Sequence, residues 1–128
     1  MILQRLWWAL GLFLVAAAVV VCLVPGQDLP AAFEWNDKFS HAGGHGLLAL
    51  YFSGLVARRS WWKIFVFLLL LGISIEFAQY SMRYGRDGDP RDVMANAAGA
   101  LLGLGLGRLG LSRWPEFVAW LLGQRAPQ

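Results

Sequence analysis

The sequence predicts an all-α membrane protein. We expect one domain, residues 1–128, forming an integral membrane bundle of four transmembrane helices with a short interfacial helix near the C-terminus. Hydrophobic residues make up 58% of the chain and charged residues only 15%, whereas charged residues are usually about a quarter of a soluble domain. The apolar residues also form long runs, of the length that a helix needs to cross a bilayer.

The first predicted span, residues 6–24, contains no charged residue. At about 1.5 Å per residue it covers about 28 Å, which is close to the thickness of the bilayer core. A cleaved signal peptide is the alternative, because Arg5 precedes an apolar stretch. The run is longer than a usual signal core, and small residues are not well placed for cleavage. We therefore expect a signal anchor.

The second predicted span covers residues 41–57, and Asp37 or Ser40 can cap its first turn. One side of this span carries small residues at helical spacing, namely Ala42, Gly46, Ala49 and Ser53. Small residues on one face allow a second helix to approach closely in lipid. This face is therefore expected to pack against another span.

The third and fourth predicted spans cover residues 61–80 and 93–111. Asp89-Pro90 precedes the fourth span and predicts an N-cap followed by proline at the first helical position. Glycine recurs at every fourth position of this span, at Gly99, Gly103 and Gly107. We expect the fourth span to pack through these glycines against the small face of the second. The segment 114–122 is too short to span and predicts the interfacial helix.

The basic residues predict the orientation. Seven fall on the side of the termini: Arg5, Arg58, Arg59, Lys63, Arg108, Arg113 and Arg125. Four fall on the other side: Lys38, Arg83, Arg86 and Arg91. The positive-inside rule then places both termini in the cytoplasm and the two polar loops outside. The prediction is a multi-pass protein of the cytoplasmic (inner) membrane.

Polar side chains flank the loop after the third span. Glu76 and Gln79 enter this loop on one face of a helix, and Asp92 and Asn96 leave it. Ionisable groups at the edge of a bilayer are costly, so they are functional candidates. Glu76 lies about one turn inside an apolar segment. It should pair with an arginine or histidine, or be protonated, because desolvation raises the pKa of a carboxylate.

This set of residues resembles the VanZ-like family, small bacterial membrane proteins named after an accessory protein linked to teicoplanin resistance. The resemblance covers about residues 37–107. The family's polar signature falls on Asp37, Lys38, His41, Glu76, Gln79, Arg86, Asp89, Asp92 and Asn96, and Gly99 belongs to the same spacing. His45 departs from the pattern, which usually has an aromatic residue, commonly Tyr, at this position. The resemblance implies the bacterial cell envelope and a link to antibiotic resistance.

The polar signature gives the candidate ligand-binding site. The predicted function is recognition of an amphipathic ligand at the outer membrane face: a lipid-linked precursor, a phospholipid or a lipoglycopeptide such as teicoplanin. The alternative is a membrane enzyme acting on a lipid-linked phosphate or glycan, with His41, Glu76 and Asp92 as candidate catalytic residues. A small transporter is a third interpretation, less favoured because the polar groups gather at one face. Whether the protein is an enzyme stays open.

The sequence also gives expectations for partners and cofactors. The expected partners are membrane lipids and an amphipathic ligand or glycopeptide, with a second copy of the chain as a further candidate. The eleven Lys and Arg residues are scattered, so nucleic acid is not expected. No cofactor is predicted. His41 and His45 are spaced to share a metal ion, and Glu76 and Asp92 would complete a mixed nitrogen and oxygen set, but no established zinc-enzyme motif accompanies them.

Overall fold

The computed structural model describes residues 2–24, 37–82 and 88–123, with Asp37 described by its backbone alone. The helices are α1 (Ile2–Leu23), α2 (Asp37–Ser53), α3 (Trp61–Met82), α4 (Pro90–Arg108) and α5 (Trp114–Leu121). Short 3-10 turns, Arg58–Ser60 and Leu111–Arg113, precede α3 and α5. No β-strand occurs in the described ranges, so the all-α class is confirmed for them.

Two of these helical segments are long and apolar enough to cross a membrane. They are α1 and Arg58–Met82, which contains α3. α4 and Leu111–Leu121 pass the same test together, but the chain bends by 75° between them. α2 is not among the candidates, because it has only 17 residues and its first half is polar. The described residues therefore support two or three spanning helices, and the fourth span stays a prediction.

α2 and α4 pack face to face through small residues. A Cβ atom added to Gly99 would overlap the backbone of Ala42, and one added to Gly103 would overlap the carbonyl oxygen of Gly46. Neither position has room for a side chain. The predicted packing of the small faces of these two helices is confirmed.

The hydrophobic core lies between α2, α3 and α4. Its buried members are Leu48, Ala49, Phe52, Trp61, Ile64, Leu68 and Ala100. α1 lies against the outside of this group, and Gly11 is its only fully buried residue. Most of the α1 surface is therefore available to lipid.

α2 extends further toward the polar end than predicted. The helix begins at Asp37 rather than at residue 41, so Ser40 lies within its first turn and is not its cap. Helical hydrogen bonds form along polar and apolar residues alike, so the apolar run alone did not define this end. The helix ends at Ser53 because the chain turns at Gly54, where an added Cβ would lie 2.9 Å from the carbonyl oxygen of Ser112.

Aromatic residues hold the other end of the bundle together. The Tyr51 hydroxyl donates to the carbonyl oxygen of Trp7 over 2.8 Å, and Trp114 Nε1 donates to the carbonyl oxygen of Tyr51 over 3.1 Å. The rings of Tyr51 and Trp114 stack with their centroids 4.8 Å apart. These contacts tie α1, α2 and the start of α5 together. Phe117 and Trp120 of α5 are exposed, and the interfacial position of this helix stays a prediction.

Candidate functional site

The polar end of the bundle is built from the ends of three helices. Lys38 and His41 lie in the first turns of α2. Glu76 lies near the end of α3, and Asp92 and Asn96 lie in the first two turns of α4. His41, Glu76, Asp92 and Asn96 are 4%, 7%, 3% and 0% exposed. The residues singled out in the sequence therefore meet in the protein interior, and not on an open surface.

Lys38 closes the outer side of this cluster. Its Nζ donates to Asp89 Oδ2 and to Asp92 Oδ1, both over 3.0 Å. These two hydrogen bonds raise the pKa of Lys38 above its usual value, the bond to Asp89 contributing most. The ammonium group thus joins the start of α2 to the start of α4. It is already shared between two carboxylates before any ligand arrives.

Asp89 is the N-cap of α4, as the sequence predicts. Its side chain accepts a hydrogen bond of 2.9 Å from the backbone N–H of Arg91, and Pro90 occupies the first helical position. The Arg91 N–H and the Lys38 ammonium hold the pKa of Asp89 below its ordinary value. Asp89 therefore serves both the helix end and the outer ion pair.

His41 and Asn96 form the inner layer. His41 Nδ1 lies 3.2 Å from Asn96 Oδ1, with both side chains buried. An amide oxygen can only accept, so Nδ1 carries the proton and donates to it. The opposite ring nitrogen, Nε2, lies 3.9 Å from Glu76 Oε1. Asn96 fits here because residue 72 is glycine: a Cβ at Gly72 would lie 2.8 Å from Asn96 Nδ2.

Glu76 connects α3 to the start of α4. Its Oε2 accepts a hydrogen bond of 3.0 Å from the backbone N–H of Asp89. Gly88 allows this approach, because a Cβ there would lie 2.8 Å from the carbonyl oxygen of Glu76. The sequence predicts pairing of Glu76 with an arginine or with His41. The structure places His41 beside it, while Arg83 and Arg86 lie outside the described residues.

Gln79 faces α1. Its Nε2 donates to the carbonyl oxygen of Cys22 over 2.7 Å. Cys22 lies in the last turn of α1, where carbonyl groups have no partner within the helix. Gln79 therefore caps the end of α1, which agrees with a structural role between helices. Sequence reasoning did not identify the Cys22 carbonyl, because a backbone acceptor leaves no signature in the residue type.

His45 turns away from the cluster. Its Nδ1 lies 3.2 Å from the carbonyl oxygen of His41, one turn earlier in α2. A carbonyl only accepts, so this nitrogen donates to it. His45 is buried, but it is not part of the group formed by His41, Glu76 and Asp92, whose potential ligand atoms lie within 4.8 Å of one another. The pair of histidines suggested by the sequence is thus not brought together around one point.

The remaining sequence candidates are distributed as follows. The structure brings together Lys38, His41, Glu76, Asp89, Asp92 and Asn96, and it places Gln79 at the edge of the group. Arg86 and the side chain of Asp37 lie outside the described part of the chain. The sequence does not identify Gly72 and Gly88 as part of the site. These glycines leave room for neighbouring groups of the site, and that role can be seen only in the packed structure.

Comparison with known proteins gives a family assignment. No curated protein and no solved structure matches the chain. The family model described as VanZ/LLP1 matches residues 9–111, which cover most of α1, all of α2 to α4 and every polar residue of the cluster. The resemblance noted from residues 37–107 is confirmed and extends over most of α1. With apolar helices of membrane-spanning length and this match, the chain is a membrane protein that belongs to the VanZ/LLP1 family.

Proposed function

We propose that this protein recognises an amphipathic molecule of the bacterial envelope at the outer face of the cytoplasmic membrane. The candidates are a lipid-linked precursor, a phospholipid and a lipoglycopeptide such as teicoplanin. The observation that carries the proposal is the meeting of His41, Glu76 and Asp92, from three helices, at one end of an otherwise apolar bundle. Buried ionisable groups in a membrane protein are costly to the fold, so a role in function explains why they are kept.

The surroundings of the cluster suit an amphipathic ligand. Phe39, Phe77 and Met94 are more than 70% exposed and lie on the same helix ends that carry the polar groups. Each lies within two residues of a buried polar side chain of the cluster, namely His41, Glu76 and Asp92. A polar ligand head would thus meet the cluster while its hydrocarbon chain lies along exposed apolar side chains.

The charges of the described side chains favour a particular kind of head group. Glu76, Asp89 and Asp92 supply three carboxylates, and Lys38 supplies one ammonium that two of them already share. The exposed Arg91 guanidinium, which helps to lower the pKa of Asp89, is the second cation, so the carboxylates remain in excess. Carboxylates accept hydrogen bonds and repel anions. We therefore expect these side chains to receive hydroxyl or amine groups, as found in sugars and amino head groups, while phosphate would require other residues.

The test compares the same substitution at two ends of the molecule. Glu76→Gln removes the buried charge, whereas Glu116→Gln removes an exposed charge that pairs with Arg113 at the opposite end. Wild type and both variants are purified in mild detergent, and co-purified lipids are identified by mass spectrometry. Glu76→Gln should lose the enriched lipid at least several-fold, and Glu116→Gln should keep it. Equal retention by all three proteins would contradict the proposal.

An enzymatic role is the second candidate, and the His41 geometry favours it. Asn96 orients the His41 ring through Nδ1, and Nε2 faces Glu76 Oε1 at 3.9 Å. A histidine oriented by one neighbour and facing a carboxylate can transfer a proton during hydrolysis of a lipid-linked phosphate or glycan. Each general acid or base contributes about 10²- to 10⁴-fold. Product formed from envelope lipids by wild type, and lost in His41→Ala and Glu76→Gln, would establish this role in place of recognition alone.

A further inference from the structure

Three buried side chains that can bind a metal converge from three helices. His41 comes from α2, Glu76 from α3 and Asp92 from α4, and one ligand atom from each lies within 4.8 Å of the other two. One imidazole and two carboxylates form a mixed nitrogen and oxygen set. Of the residues that the sequence suggests, this set keeps His41, Glu76 and Asp92 and leaves out His45.

The His41 imidazole is oriented in the way that a metal-binding histidine usually is. Asn96 Oδ1 accepts a hydrogen bond from His41 Nδ1–H, so in the neutral ring Nε2 carries a lone pair. Nε2 and Glu76 Oε1 lie 3.9 Å apart, and a metal cation would be attracted by this lone pair and by the carboxylate. A metal-bound histidine usually donates its other N–H to an oxygen acceptor, which is the role that Asn96 fills.

The two carboxylates are held in the same way. Glu76 Oε2 accepts a hydrogen bond of 3.0 Å from the backbone N–H of Asp89. Asp92 Oδ1 accepts a hydrogen bond of 3.0 Å from the Lys38 ammonium group. In each group one oxygen is fixed by an outer donor. Metal-binding carboxylates are typically oriented by such outer hydrogen bonds. All three side chains thus have a partner that sets their direction toward the centre of the cluster.

We infer that His41, Glu76 and Asp92 form a binding site for one divalent transition-metal ion, of the class of Zn²⁺ or Mn²⁺. Ligand atoms that lie about 2.0–2.2 Å from such an ion in tetrahedral geometry are about 3.4 Å apart. The three ligand atoms lie within 4.8 Å of one another, so binding requires the three helix ends to close by up to about 1.4 Å. The inference goes beyond ligand recognition and does not depend on it.

The test begins with the wild-type protein alone. Protein purified in detergent through a tag without histidine is titrated with Zn²⁺ and separately with Mn²⁺, followed by calorimetry and by metal analysis after dialysis. We expect about one ion per chain and a rise in melting temperature on addition of the ion. A wild type that binds neither ion at about 100 µM would overturn the inference.

Matched variants then locate the ion. His41→Gln and His45→Gln make the same change one turn apart on the same buried helix. His41→Gln removes a metal ligand and should weaken ion binding more than about 100-fold. Asn96→Ala removes only the residue that orients this ligand, and should weaken ion binding by about 10- to 100-fold. His45→Gln should bind as wild type does. Equal loss in the two histidine variants would overturn the assignment.

Folding is monitored by size-exclusion chromatography for each variant. If His41→Gln does not fold, Asp92→Asn takes its place. Asp92→Asn keeps the shape of the side chain and should lose the ion to the same degree. A folded Asp92→Asn protein that retained wild-type affinity would refute the site.

Discussion

A close backbone approach between α2 and α4 gives a sharp test of the architecture of the bundle. Gly103 of α4 lies against the carbonyl oxygen of Gly46 in α2, and an added Cβ would also come within 3.0 Å of Ala49 Cβ. Gly103→Ala adds only one methyl group. The overlapping atom belongs to a helix backbone, so it cannot move aside as a flexible side chain could. The two helices must separate instead.

The expected loss of stability follows from this separation of the two helices. Moving α2 and α4 apart by about 1 Å forfeits about a quarter to a half of the dispersion energy of each contact between them. Overpacking of this kind costs up to about 3 kcal/mol, and alanine regains about 1 kcal/mol over glycine in a helix. The expected net loss is about 2 kcal/mol. At about 4 °C per kcal/mol, the melting temperature should fall by about 8 °C.

Gly105 provides the control. It lies on the same helix, is exposed, and has nothing within 4 Å of an added Cβ. Gly105→Ala should therefore keep or slightly raise the stability, through helix propensity alone. Thermal unfolding of wild type and both variants in one detergent measures the difference. Equal melting temperatures for Gly103→Ala and Gly105→Ala would show that α2 and α4 do not approach each other as described.

Two further predictions concern the polar end. In a variant with Cys22 replaced, single cysteines at Ala31 or Asp87 should react with an impermeant thiol reagent in whole cells. A cysteine at Ser60 should not react, and the reverse pattern would place the cluster on the cytoplasmic side. Asp89→Asn should lower the melting temperature by a constant amount from about pH 8 to about pH 5. Because the folded pKa of Asp89 lies below its ordinary 3.8, this stabilisation is lost only as the pH falls below about 4. If the difference in melting temperature between wild type and Asp89→Asn instead vanished near pH 6, the stabilising role of the Asp89 carboxylate would be contradicted.

Much of the architecture could be predicted from apolar runs and small residues. The repeat of glycine in α4 predicts its contact with α2, and Asp89-Pro90 predicts the start of α4. Both signals are local, because each depends on residues a few positions apart. The limits of α2 were less accessible, since its polar first turns continue the helix beyond the apolar segment.

The residues of the site could be predicted from the sequence, but the contacts between them could not. Polar residues at the ends of the predicted spans identified His41, Glu76, Asp92 and Asn96. Which partner each one contacts depends on the rotation of three helices about their axes. The pairing of Lys38 with Asp89 and Asp92, and the turning of His45 toward its own helix backbone, follow from that rotation. No sequence spacing encodes it.

The attachment of α1 has a consequence for how freely its sequence can change. Tyr51 reaches the carbonyl oxygen of Trp7 at one end, and Gln79 reaches that of Cys22 at the other. Both acceptors are backbone atoms, which every amino acid supplies. Between them only Gly11 is tightly enclosed, with Phe52 within 3 Å of a would-be Cβ. Trp7 and Trp8 also make specific contacts, because their rings pack against Trp114 and Phe52. The other residues of α1 could be exchanged for residues of similar size, hydrophobicity and helix propensity, and the helix would keep both of these hydrogen bonds.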